Sequence, residues 1–73
     1  MLFYKWMLKE GIWCRVYNRH PDTGNNKFQG AYVYVDTRHT EEGIKKLFIE
    51  HDWEFLKKDR YYLIFVKESI CEM

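Results

Sequence analysis

Two stretches of this chain alternate strictly, and they constrain the fold more than any other feature. Over residues 12–19, Ile12, Cys14, Val16 and Asn18 fall on one side of an extended backbone, and Trp13, Arg15, Tyr17 and Arg19 on the other. Over 31–38, Ala31, Val33 and Val35 share one side, and Tyr32, Tyr34, Asp36 and Arg38 the opposite one. Side chains on a strand alternate with period two, so both stretches predict strands with a compact aliphatic face and a bulky aromatic-and-arginine face. The aliphatic face is the one a core accepts. The other carries Trp, Tyr and Arg, the side chains most enriched at binding hot spots.

The rest of the chain is punctuated around these strands. Residues 2–8 are bulky and apolar, broken by Lys5, and predict a further strand that turns at Lys9-Glu10-Gly11 into the 12–19 strand. His20-Pro21-Asp22-Thr23-Gly24-Asn25-Asn26 gathers Pro, Asp, Gly and Asn, the strongest turn signal in the sequence. A strand over 28–37 follows, with Gly30 marking a bulge at its start. Thr40 predicts an N-cap, with Glu41 and Glu42 in the first turn, where negative charge suits the helix dipole. The helix runs to about His51 and gathers Ile44, Leu47, Phe48 and His51 on one side, with Lys45, Lys46 and Glu50 toward the other. Gly43 costs it about 1 kcal/mol relative to Ala, and its smallness predicts close approach to the sheet. A last hairpin pairs 53–57 with 61–67 around Lys58-Asp59-Arg60. Its second strand is apolar on both sides, which predicts an interior position.

The resulting order is β-β-β-α-β-β. It describes a small α+β two-layer domain spanning 1–73 as one unit, a mainly antiparallel sheet with one helix packed on one face. No internal repeat or linker is visible in the sequence. One helix of about 12 residues cannot cover both faces of a five-stranded sheet. The face with Trp13, Tyr17, Tyr32 and Tyr34 is therefore left to water, a second copy or a partner.

Composition fits a small folded domain. Of the 73 residues, 19% are aromatic, and there are one proline and four glycines. A domain of this size buries only about 60% of its unfolded surface, and large aromatic side chains offset part of that deficit. Net charge is +1, without the high pI usual in nucleic-acid-binding domains. Arg15, Arg19 and Arg38 still make a local basic face. Cys14 and Cys71 are too few for a disulfide framework. Cys14 reads as a buried thiol and Cys71 as free, with a single bridge between them left open. The first residues lack the basic region and cleavage site of a signal peptide. No stretch reaches the roughly 20 apolar residues that span a bilayer, so the expected setting is the reducing cytoplasm, away from membranes.

The sequence does not bring catalytic groups together. His20, His39 and His51 fall in a turn, ahead of the helix and at its end, where His51 is expected to meet the helix dipole. There is no C-x-x-C or H-x-x-x-H spacing, glycine-rich phosphate loop or serine elbow, so neither metal nor cofactor is expected. The one catalytic set the residues allow is ribonuclease-like, with His20 as base, Arg15 as phosphate clamp and Tyr17 as proton donor. A non-enzymatic role is the expectation. Its surface would be Trp13, Arg15, Tyr17, Arg19, Tyr32, Tyr34 and Arg38, occupied by a protein partner. Compact chains of this kind include modulators and inhibitors of larger machines encoded by phages and mobile elements. Two alternatives use the same face. In a nucleic-acid-binding module the rings would stack bases for about 1–3 kcal/mol each, against which stand the near-neutral charge and Asp36. In a homodimer the face would be buried between copies.

Overall fold

The structure, a computed structural model, describes residues 4–35 and 39–68. Helix α1 (Lys5–Lys9) leads into β1 (Cys14–Tyr17) and β2 (Phe28–Tyr34), and helix α2 (Glu41–Glu50) leads into β3 (Glu54–Asp59) and β4 (Tyr62–Glu68). The strands form one antiparallel sheet in the order β1-β2-β4-β3. Each half of the chain is thus a helix followed by a hairpin. The two second strands meet at the centre in an unbroken register from Phe28↔Glu68 to Tyr34↔Tyr62. The α+β class and the interior position of the last strand are as expected.

The expected strand over 2–8 is instead helix α1, with residues 1–3 outside the described ones. Gly11 is the reason. It sits at φ 71°, its N–H donates to the Leu8 carbonyl (3.1 Å), and the Ile12 N–H donates to that of Met7 (3.0 Å). This pair of bonds is a Schellman motif, which calls for a residue free of Cβ strain just past the helix. Lys9-Glu10-Gly11 is therefore a helix end and not a hairpin turn. Met7 and Ile12 are both buried, the apolar contact that accompanies this motif.

Helix α2 ends the same way. Asp52 adopts φ 69°, its N–H donates to the Ile49 carbonyl (3.1 Å), and that of Trp53 to Phe48 (2.9 Å). The Trp53 ring then meets Phe48 edge to face at 5.7 Å. The helix starts where Thr40 predicts, the threonine Oγ1 accepting the Gly43 N–H at 3.0 Å. Gly43 does not bring the helix close to the sheet. Among the described residues, a Cβ there would meet within 4 Å only Thr40 Oγ1, at 3.2 Å. His51 caps the far end, where its Nδ1–H donates to the Leu47 carbonyl (2.9 Å) and its ring stacks on Trp6 at 3.9 Å.

The core lies between the helices and one sheet face. Met7, Ile44, Phe48 and Trp53 cover Val16, Ala31, Val33, Leu63 and Phe65, with Phe48 stacked on Phe65 at 4.3 Å. Among the described residues the helical layer thus holds two helices, and the sheet four strands where five were expected. The 12–19 strand contracts to β1. The 28–37 strand contracts to β2, and residues 36–38 lie outside the described ones. Gly30 is not a bulge, since its pairing is regular on both sides; the irregularity falls between Phe55 and Lys57 in β3. Asp59 pairs with Tyr62, so the last turn is Arg60-Tyr61, with Arg60 at φ 26°. Among the described residues, no helix is long and apolar enough to cross a membrane.

Candidate functional site

The face turned away from the helices carries Arg15 and Tyr17 from β1, Gly30, Tyr32 and Tyr34 from β2, Tyr62, Ile64 and Val66 from β4, and Lys57 from β3. Register fixes this grouping: Arg15 lies opposite Tyr32, Tyr34 opposite Tyr62, and Ile64 between Tyr32 and Lys57. Four tyrosines make a continuous row. Tyr17 meets Tyr32 edge to face at 5.6 Å, Tyr32 meets Tyr62 at 6.0 Å, and Tyr62 tilts against Tyr34 at 4.9 Å. Such pairs stabilise by about 0.5–1.5 kcal/mol each beyond the area they bury. The Tyr62 hydroxyl donates to that of Tyr34 (3.3 Å), and this bond raises the Tyr62 pKa because ionisation would break it.

One end of the face is covered by the β1–β2 connection. Gly30 is buried beneath Pro21, so close that a Cβ would lie 2.9 Å from Pro21 Cγ, 3.0 Å from Cδ and 3.1 Å from the Arg19 carbonyl oxygen. Beyond the proline, Asp22 Oδ1 accepts from Lys57 Nζ at 2.8 Å, tying the connection to the far edge strand. That bond holds the Asp22 carboxyl below its usual pKa. His20 shapes the turn: its Nδ1 accepts the Asp22 and Thr23 amides at 3.1 and 3.3 Å, and its ring meets the Phe28 ring edge to face. What the sequence reads as a turn is a folded strap.

Between strap and sheet lies an open depression of about 400 Å³, lined by Arg15, Tyr17, Arg19, Pro21, Tyr32 and Tyr62. The Tyr17 hydroxyl beside the Arg15 guanidinium, with smaller contributions from Tyr34 and Tyr62, favours its charged form still further. Among the described residues, the ion pairs are Lys57–Asp22 and Lys58–Glu41, so neither arginine of the depression faces a carboxylate.

Of the residues singled out from sequence, Arg15, Tyr17, Arg19 and Tyr32 come together here, and Tyr34 adjoins them through Tyr62. Trp13 stands just ahead of β1, 72% exposed, and is not among the lining residues, although its carbonyl accepts the Tyr34 N–H at 2.9 Å. Arg38 lies outside the described residues. Tyr62 and Pro21 are additions. The alternation of Tyr62 with Leu63 is a signal for the first, masked by the apolar character of its strand on both sides; for Pro21 the sequence gives only a turn.

Of the ribonuclease-like trio, Arg15 and Tyr17 line the depression and His20 is not among the lining residues. In neutral His20 the Nδ1 lone pair already accepts two backbone amides and Nε2 carries the proton, which leaves no base pointing outward. Among the described residues, no three His, Cys, Asp or Glu side chains are placed to hold a metal ion. Cys14 is a free thiol that donates to Met7 Sδ (3.3 Å), and burial pushes its pKa up to about 11. No protein-family model, curated protein or solved structure matches this chain, which leaves the face itself as the guide to function.

Proposed function

We propose that this chain is a non-enzymatic binding protein that engages a protein partner through the tyrosine face, acting as a stoichiometric modulator or inhibitor of that partner. One observation carries the reading: half-buried Tyr17, Tyr32 and Tyr62 and two arginines, with no carboxylate partner among the described residues, surround one depression. Tyrosine and arginine concentrate at the centres of protein interfaces because they bury large area and pair with specific geometry. Base stacking is less well supported. Tyr17, Tyr32 and Tyr62 stand edge to face against each other, so ring faces that bases would need are partly taken by neighbouring edges. Lys57, the third cation of the face, is already neutralised by Asp22. The free Cys14 thiol fits the reducing cytoplasm, the compartment we assign.

The test is affinity capture with the wild-type chain and with an Arg15→Ala/Arg19→Ala variant. Both side chains are exposed, and matching thermal melts would show that the fold is kept. The expected result is a protein retained in fixed stoichiometry by the wild type, lost from the variant and resistant to nuclease. Retention by the variant, or release by nuclease, overturns the reading. A stable dimer whose interface is this face transfers the role of the tyrosines to self-association.

A further inference from the structure

We infer that the depression is a carboxylate receptor: it takes the acidic side chain of an Asp or Glu in an acidic segment of the partner protein. The inference deepens the preceding proposal and rests on it. Charge complementarity is the first argument. Arg15 and Arg19 line the same depression with no carboxylate against either among the described residues, whereas Lys57 on the same face is satisfied within the chain by Asp22. A guanidinium presents a rigid fork of donors that matches a carboxylate, and a charge-assisted bond of this kind is about twice as strong as a neutral one.

The rest of the lining suits the remainder of an acidic side chain. Tyr32, Tyr62 and Pro21 offer apolar surface for its methylene groups, and about 400 Å³ accommodates a short stretch of peptide. Tyr17 lies beside Arg15 and favours its charged form, the bond from Tyr62 to Tyr34 favours the neutral Tyr62 phenol, and no Asp or Glu is among the six lining residues. Phosphate is the other anion arginines take. Phosphate sites characteristically use helix N-termini or nests of backbone N–H groups. Here both helices pack on the opposite face of the sheet, and the six lining residues belong to strands and the strap. Among the described residues the cations lining the depression are two arginines, too few for the many phosphate contacts that hold a nucleic acid at moderate salt.

The experiment is an NMR titration of the isotope-labelled full chain with four probes at low and moderate salt. These are a capped glutamate–glycine hexapeptide, its glutamine counterpart, inorganic phosphate and a short oligouridylate. The glutamate peptide is expected to shift the Arg15 and Arg19 Nε–H signals and the Tyr32 and Tyr62 ring signals saturably at millimolar concentration. The glutamine peptide should bind about tenfold more weakly or worse, and Arg15→Gln with Arg19→Gln should impose a similar loss, the worth of one charge-assisted hydrogen bond. Equal binding of the two peptides, indifference to the double substitution, or no response to the glutamate peptide overturns the carboxylate receptor. Those outcomes leave the protein-binding face standing if capture still depends on it. Oligouridylate binding with a steep salt dependence, in the absence of glutamate-peptide binding, overturns both.

Discussion

Gly30→Ala tests whether the strap is clamped onto the sheet. The added methyl would sit 2.9 Å and 3.0 Å from the Pro21 ring carbons and 3.1 Å from the Arg19 carbonyl oxygen. None of these atoms is the end of a flexible side chain, and the proline ring cannot rotate away. Relieving the overlap requires lifting the strap, and overpacking of this kind costs about 1–3 kcal/mol. Against that, replacing Gly by Ala reduces unfolded-state entropy and returns about 0.4–1 kcal/mol. The net expectation is a loss of about 1–2 kcal/mol, or a fall in melting temperature of about 4–16 °C for a domain of this size. Thermal unfolding followed by circular dichroism reads it directly. Pro21→Ala removes the two nearest contacts, so a double-mutant cycle should show coupling of at least about 0.5 kcal/mol between positions 21 and 30. A Gly30→Ala chain that melts at or above the wild type, or strictly additive substitutions, would refute the clamp. Because Pro21 and Arg19 also line the depression, the same substitution should weaken binding of the glutamate peptide.

Asp52 occupies the left-handed position that ends α2, so Asp52→Gly should raise stability by about 0.5–1 kcal/mol and Asp52→Val should lower it, both seen in urea melts. Cys14, with its pKa pushed to about 11 from 9.0, should react with iodoacetamide at pH 8 about 100-fold more slowly in the native chain than in urea, measured by mass spectrometry on a Cys71→Ser background. Equal rates would show that the thiol is not shielded. The Asp22 carboxyl should titrate by NMR below 3.8 and return toward it in Lys57→Gln. Its folded-state pKa is depressed, so the small stabilisation it gives is present above the unfolded value and lost as pH falls through the folded one. High salt should shrink the effect, since both groups are exposed.

The sequence discloses the faces of β1 and β2 because alternation survives wherever one side of a strand is buried: Val16, Ala31 and Val33 are core, and Arg15, Tyr32 and Tyr34 are not. The start of α2 is equally legible, since Thr40 caps through its own side chain. Residues 2–8 mislead because bulky side chains suit a strand as well as a helix with one buried residue, Met7, and Gly11 serves both a hairpin and a helix end. Only the bonds themselves decide, from the Gly11 N–H to the Leu8 carbonyl and from the Ile12 N–H to that of Met7. Gly30 misleads in a similar way, since its small size answers to Pro21, nine residues earlier in the chain. Non-local contacts of this kind leave no periodicity. Tyr62 belongs to the face for the same reason that Leu63 belongs to the core, yet a strand that is apolar on both sides gives no contrast from which to assign them.

The repetition of helix, left-handed terminus and hairpin has no counterpart in residue identity, yet it makes the molecule modular. β2 and β4 are joined along seven antiparallel pairs centred on Ala31↔Phe65, and this seam is where one half of the chain completes the other. A half of roughly 35 residues is too short to hold a core unaided. Severed from its companion, it would expose the full edge of β2 or β4 and the underside of a single helix. A second molecule presents the same missing half. At high concentration or under mild destabilisation, two chains can trade halves and rebuild every seam contact between them, a closed exchange that needs no new surface.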